Sequence, residues 1–116
     1  MKKLIALLAC LLLVCTGCSS RQTESAEIVA TTAPVRQFTQ AVCEGTDLSV
    51  GLVVSDSVSC LHDYTLSVRQ MEAVEQAEVV VLNGCDLEHF MEDILETKNI
   101  CIDSSEGISL LCTTGH

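Results

Sequence analysis

The chain has 116 residues, the length of about one domain at ~100–150 residues each, and sets 6 Lys and Arg against 16 Asp and Glu for a net charge of −10. That sign excludes a protein that grips nucleic acid through its phosphates. The positive mean hydropathy of +0.41 is concentrated before residue 18, so only that segment is suited to a bilayer.

Met1-Lys2-Lys3 supplies a positive start, and Leu4 to Val14 is an uncharged apolar run. The run fits a signal's hydrophobic region of ~7–15 residues and is short for a spanning helix of ~20. It closes on Cys15-Thr16-Gly17-Cys18, ahead of Ser19-Ser20. Small residues directly before a cysteine resemble a bacterial lipobox, although Cys15 stands where Leu is usual. On that pattern residues 1–17 are a lipoprotein signal peptide, and Cys18 takes a lipid on its sulfur and becomes the new N-terminus. The alternative is an ordinary secretory signal in which Cys18 has no role. Residues 18–26 are polar beyond Cys18, without periodicity, and read as a lipid-anchored tether. Lys2 and Lys3 leave with the signal, so the exported part is more acidic still. Such charge favours solubility and concentrates cations without selecting one.

From residue 27 two patterns alternate. Glu27 to Thr31 is a short β-rich run. Pro34 opens a helix with Val35, Phe38, Ala41 and Val42 on one face. Leu48 to Val54 is a second strand, and Asp56 to Leu66 is a loop by composition. Ser67 caps a second helix, with Gln70 completing a capping box and Val68, Met71, Val74 and Ala77 as its stripe. Glu78 to Leu82 is the clearest strand and stops at Asn83-Gly84. Asp86 begins a third helix, whose Leu87, Phe90, Met91, Ile94 and Leu95 recur at helical spacing and place Phe90 and Leu95 in the core. Asn99 to Ile102 is a fourth strand, and Ile108 to Leu111 is either a short strand or a helical turn.

This alternation predicts an α/β fold with a mainly parallel four-stranded sheet flanked by helices, its Val/Ile/Leu-rich strands buried on both faces. Ligands of such sheets sit beyond the carboxyl ends of the strands, where the loop of residues 56–66 leaves the second strand. That loop holds His62, a residue type that commonly ligates zinc, although a lone loop histidine is most often simply solvated. Cys60 stands at the short, unspecific Cys-x-His spacing, and Asp63 either orients the imidazole or faces water. Beyond the signal segment the chain has no Cys-x-x-Cys, and it has no Gly-rich phosphate loop, nucleophile elbow or zincin spacing, so it is not read as an enzyme.

Several segments in order resemble the N-terminal part of zinc/manganese ABC-transporter solute-binding lipoproteins, two-lobed metal receptors that feed a membrane permease. They are Cys18, Ala30-Thr31-Thr32-Ala33-Pro34, His62-Asp63-Tyr64-Thr65-Leu66, Gln76 to Gly84, and Leu87-Glu88 with Phe90. Leu61 departs from the pattern, which often has Pro before the histidine. The resemblance implies one lobe of such a receptor over residues 27–116, with His62 as its metal ligand. It further implies a lipid anchor at Cys18, a place on the outer face of the bacterial cytoplasmic membrane or in the periplasm, and an ABC permease as partner. The cargo would be Zn2+, or alternatively Mn2+, and the later ligands decide between them through nitrogen or oxygen coordination. The chain reaches Gly115-His116 before any segment that would supply those ligands, so the reading is of a fragment or truncated form without its second lobe. His116 is either the first residue of a His-rich loop or inert. The alternative function is a surface adhesin or accessory lipoprotein without independent metal capture.

Glu88, Glu92, Asp93 and Glu96 read as a solvated helix face, with Glu88 at a position the resemblance makes structural, and His89 as exposed. Besides Cys18, the exported part holds Cys43, Cys60, Cys85, Cys101 and Cys112, an odd number with no readable pairing. Cys101, on an apolar strand, reads as a small buried hydrophobe.

Overall fold

The four apolar runs become four strands: β1 (Ile28–Ala30), β2 (Val50–Leu52), β3 (Val79–Leu82) and β4 (Cys101–Asp103). The computed structural model describes Met1 and residues 25–55, 57–98 and 100–111. The signal segment, Cys18, Cys112 and His116 therefore lie outside the described residues. All neighbouring strands pair in parallel, in the order β2-β1-β3-β4. The register sets Val29 opposite Gly51 and Val80, and sets Val81 opposite Ile102. Strand β2 is shorter than the apolar run that encodes it. Val53 and Val54 nevertheless stay buried, and their N–H groups still donate to the carbonyls of Ala30 and Thr31 at 2.9 and 3.0 Å.

Two helices cross between strands, α1 (Ala33–Val42) and α2 (Val68–Gln76). Pro34 sits in the first turn of α1, where its missing N–H costs nothing. Ser67 and Gln70 form the expected capping box on α2. Lys98 closes the other end of α2 by donating to the carbonyls of Glu75 and Ala77 at 2.8 and 2.6 Å. A cation suits those orphan carbonyls.

The core is one-sided. Val29 and Val80 of the sheet, with Val53 and Val54, meet Val74 and Ala77 of the α2 segment and Met91. Of the stripe expected on α2, Val74 and Ala77 are buried, whereas Val68 and Met71 are exposed. On α1 only Val35 is buried; Phe38 and Val42 are 74% and 84% exposed, not packed as the periodicity predicts. For Val42 the reason is length: three-residue strands run about 10 Å, whereas this ten-residue helix runs about 15 Å. Phe38, midway along the helix, has no partner in the described core cluster.

The third helix is also shorter than its spacing implies. It is a 3₁₀ turn (His89–Met91) followed by one α-turn, α3 (Glu92–Leu95). Met91 is buried, while Phe90, Ile94 and Leu95 are partly buried against the core cluster. Asp86 does not cap it, because Gly84, Cys85 and Asp86 are all left-handed, with φ of 85°, 56° and 64°. Three consecutive residues of that hand cannot enter a right-handed helix. Cys101 is exposed, contrary to the apolar reading of its strand, because β4 is the edge of the sheet. Residues 108–111 form neither strand nor helix, and Ile108, Leu110 and Leu111 are exposed.

Candidate functional site

The chain runs from β1 out to β2 and then back across β1 to β3, so the winding reverses between β1 and β3. In open α/β sheets ligands collect beyond the carboxyl ends at such a reversal. Thr31, leaving β1, and Asn83-Gly84, leaving β3, meet there. Glu88 joins them: its carboxylate accepts from Thr31 Oγ1 at 2.5 Å, Asn83 N at 2.6 Å and Gly84 N at 3.1 Å. Only 5% of Glu88 is exposed, and Thr31 is fully buried. Glu88 is thus no part of a solvated helix face. It is turned inward because two backbone amides and a hydroxyl, buried or partly buried, need an acceptor. Glu92, Asp93 and Glu96 do face solvent, as does His89, which pairs with Glu92 at 3.0 Å.

Gly84 makes a second tie at this edge. A Cβ there would lie 1.9 Å from Asp103 Oδ1 and 2.3 Å from Ser105 Oγ, so the turn after β3 touches the turn after β4. Cys85 N donates to Ser105 Oγ at 3.1 Å. The Ser105 hydroxyl, and then its backbone N–H, hold the Asp103 carboxyl below its ordinary range. The carboxyl ends of β1, β3 and β4 are therefore bound together by polar side chains.

The loop after β2 rises from the same edge. His62 is exposed within a turn closed by Tyr64 N donating to Leu61 O at 3.2 Å. Cys60 and Asp63 are exposed beside it. The loop is not free to wander. The Tyr64 ring meets Phe90 edge-on, with centroids 5.4 Å apart and planes at 86°. The Tyr64 hydroxyl accepts from Gln70 Nε2 at 2.7 Å. Between this loop and the start of α1 lies a hollow of about 240 Å³ lined by Thr32, Pro34, Val54, Ser55, Val58 and Leu61. The buried Thr32 hydroxyl has no hydrogen-bond partner.

Among the described residues, no group of three or more His, Cys, Asp or Glu is placed to hold a metal ion. Cys43, Cys60, Cys85 and Cys101 are free thiols. Partial burial at the sheet edge pushes the Cys101 thiol up from its ordinary value. Sequence reasoning singled out His62 and the capping role of Gln70. The residue pattern read Glu88 as solvated while the family resemblance gave its position as structural; the local signal for a buried acceptor was Asn83-Gly84, a turn with amides to satisfy.

Residues 28–116 match the family model described as zinc-uptake complex component A, periplasmic (ZnuA). The chain belongs to that family. Among solved structures it is similar to Zn(II)-bound AdcA from Streptococcus pneumoniae, with a TM-score of 0.63 and 25% identity over 76% of this chain and 20% of that one. The Zn(II)-bound ZnuA-like domain of the same AdcA gives 0.63 and 25% over 79% of this chain and 35% of that one. The Mn-bound periplasmic metal binding protein from Candidatus Liberibacter asiaticus shares the fold, with a TM-score of 0.64 at 16% identity over 72% of this chain and 32% of that one. The chain thus spans about a fifth to a third of the solved structures it matches. No curated protein sequence matches it. The ZnuA family comprises periplasmic components of zinc uptake and is not an enzyme family. Its shared fold accounts for the parallel sheet and the helices that flank it.

Proposed function

We propose that this chain is one lobe, over residues 27–116, of an extracytoplasmic receptor that captures Zn2+, or alternatively Mn2+, for an ABC permease. In this reading residues 1–17 are a signal peptide, Cys18 carries the lipid anchor, and His62 is the metal ligand. The observation that carries it is the exposure of His62 on a tethered loop at the carboxyl edge of the sheet, in a chain of the ZnuA family. A lobe offering one histidine has too few donors for a closed shell of about four, so further ligands must come from a second lobe.

Calorimetry with zinc chloride tests the ligand. Free thiols bind zinc unaided, so the measurement uses the soluble form that begins after Cys18, with Cys43, Cys60, Cys85, Cys101 and Cys112 changed to Ser. Weak binding is expected, and His62→Ala should weaken it further. In a two-lobed form the same change should cost far more, since it opens a complete shell. Tight zinc binding unaffected by His62→Ala would place the site elsewhere.

The anchor has its own test. The chain expressed in a bacterium should partition into the detergent phase, because paired acyl chains hold where a single chain is marginal. Cys18→Ala should move the product to the aqueous phase or leave an uncleaved precursor. Identical partitioning of both forms would refute the lipoprotein reading.

A further inference from the structure

We propose that Gln70 is a positioning residue for His62: its side-chain amide fixes the loop that presents the imidazole, without touching the ligand. The inference rests on the metal reading above for its consequence, but its geometry stands apart from that reading. An uncharged glutamine amide has two N–H donors and one carbonyl oxygen with two lone pairs. Here all four positions are used. Oε1 accepts from Ser67 N at 2.8 Å and Ser67 Oγ at 2.9 Å, while Nε2 donates to Val53 O at 2.6 Å and Tyr64 Oη at 2.7 Å.

These partners are spread along one loop. Val53 is where the chain leaves β2, Tyr64 lies two residues past His62, and Ser67 is where α2 begins. One side chain thus holds the entry, the body and the exit of the segment that carries His62. A cap alone would need only the Ser67 half. The Nε2 half adds nothing to α2, and its second partner, Tyr64, is the residue that also anchors the loop on Phe90. A ligand supplied to an incomplete shell binds well only if it is held in place beforehand, because ordering a loop on binding subtracts from affinity.

Gln70→Glu separates the two halves. Glutamate is the usual partner in a capping box, so Ser67 keeps its acceptor and α2 its cap. The carboxylate has no proton for Val53 O and sets a negative oxygen against it, while the Tyr64 hydroxyl turns from acceptor to donor, so the one bond lost is that to Val53. Hydrogen exchange on the soluble form that begins after Cys18, with Cys43, Cys60, Cys85, Cys101 and Cys112 changed to Ser, reads the result. The Tyr64 amide, which closes the His62 turn, should exchange about tenfold faster, the factor expected for one ordinary hydrogen bond lost. The amides of Met71 in α2 and Thr31 in the sheet should change less than about twofold, since their bonds to Ser67 O and Val81 O are untouched. Tyr64→Phe, which removes only the hydroxyl acceptor, should give a smaller increase at the same amide and keeps the idea testable if Gln70→Glu folds poorly.

Zinc chloride titrated against the His62 imidazole resonances supplies the functional readout. Where zinc moves those resonances in the parent chain, about threefold or more extra zinc should be needed in Gln70→Glu. An unchanged Tyr64 amide in both variants, or equal acceleration at Tyr64, Met71 and Thr31, would overturn the clamp. A loosened loop with unchanged zinc dependence would overturn its role in positioning. If zinc leaves His62 unmoved in the parent chain, the metal reading fails, and the exchange rates alone decide whether Gln70 holds the loop.

Discussion

Replacing Glu88 with alanine should destabilise the chain by about 3–5 kcal/mol in urea unfolding. The carboxylate is the acceptor for Thr31 Oγ1, Asn83 N and Gly84 N in a largely buried position. Each buried donor left without a partner costs about 1–3 kcal/mol. Thr31 and Asn83 lie close enough to share some of the loss, since Asn83 N also approaches Thr31 Oγ1 at 3.3 Å. Against a net stability of ~5–15 kcal/mol the change is large. Glu88→Gln discriminates the cause. Its remaining oxygen serves the two donors that share Oε1, while its NH₂ group faces the Gly84 N–H, and a loss of about 1–2 kcal/mol should follow. An alanine variant within about 0.5 kcal/mol of the parent, the range of ordinary surface changes, would show that the knot contributes nothing.

Gly84→Ala should cost about 2–4 kcal/mol. A left-handed residue with a Cβ carries a penalty of about 1–2 kcal/mol. At φ +85° that Cβ also occupies the space of Asp103 Oδ1 and Ser105 Oγ. Asp103 can move aside only by giving up the bonds it accepts from Ser105 N and Oγ at 2.8 and 2.6 Å. Gly107 supplies the control. Its φ is +79°, yet nothing lies within 4 Å of its added Cβ, so Gly107→Ala should show the backbone penalty alone. Equal losses for the two variants, measured in parallel urea titrations, would mean that the close approach at Gly84 has no energetic weight.

These two residues show where the sequence was legible. Strand runs such as Val79 to Leu82 are apolar throughout, and a buried parallel strand has no other way to look. The Ser67–Gln70 capping box is a local pattern and was found where it was read. The periodicity of α1 gave the helix but not its buried side. Phe38 and Val42 repeat correctly, but neither belongs to the core that the sheet and α2 build. Residues 86–95 had helical spacing, yet the left-handed Gly84-Cys85-Asp86 run is dictated by contacts with Asp103 and Ser105, twenty residues downstream, that no local pattern contains. The burial of Glu88 was invisible to local pattern for the same reason, although the family resemblance gave its position as structural. Among acidic neighbours it looks like surface, and only the meeting of β1 with the turn after β3 makes it an acceptor. Of the candidate site, His62 came from the family resemblance, since a lone loop histidine signals little by itself, while the Gln70 contacts to Val53 and Tyr64 depend on tertiary structure.

The central position of β1 governs the order in which the molecule can assemble. Its residues are all buried, and both its neighbours come later in the chain: β2 begins at Val50, and β3 only at Val79. Parallel pairs of this kind close long segments before any contact rewards the closure, which slows folding. A chain that emerges from its N-terminus therefore presents Ile28, Val29 and Ala30 with one edge unpaired until more than fifty further residues have followed. In a crowded compartment that interval is a hazard for apolar strands. Substitutions that weaken β3 should thus lower the yield of soluble protein more than their effect on the finished fold would suggest.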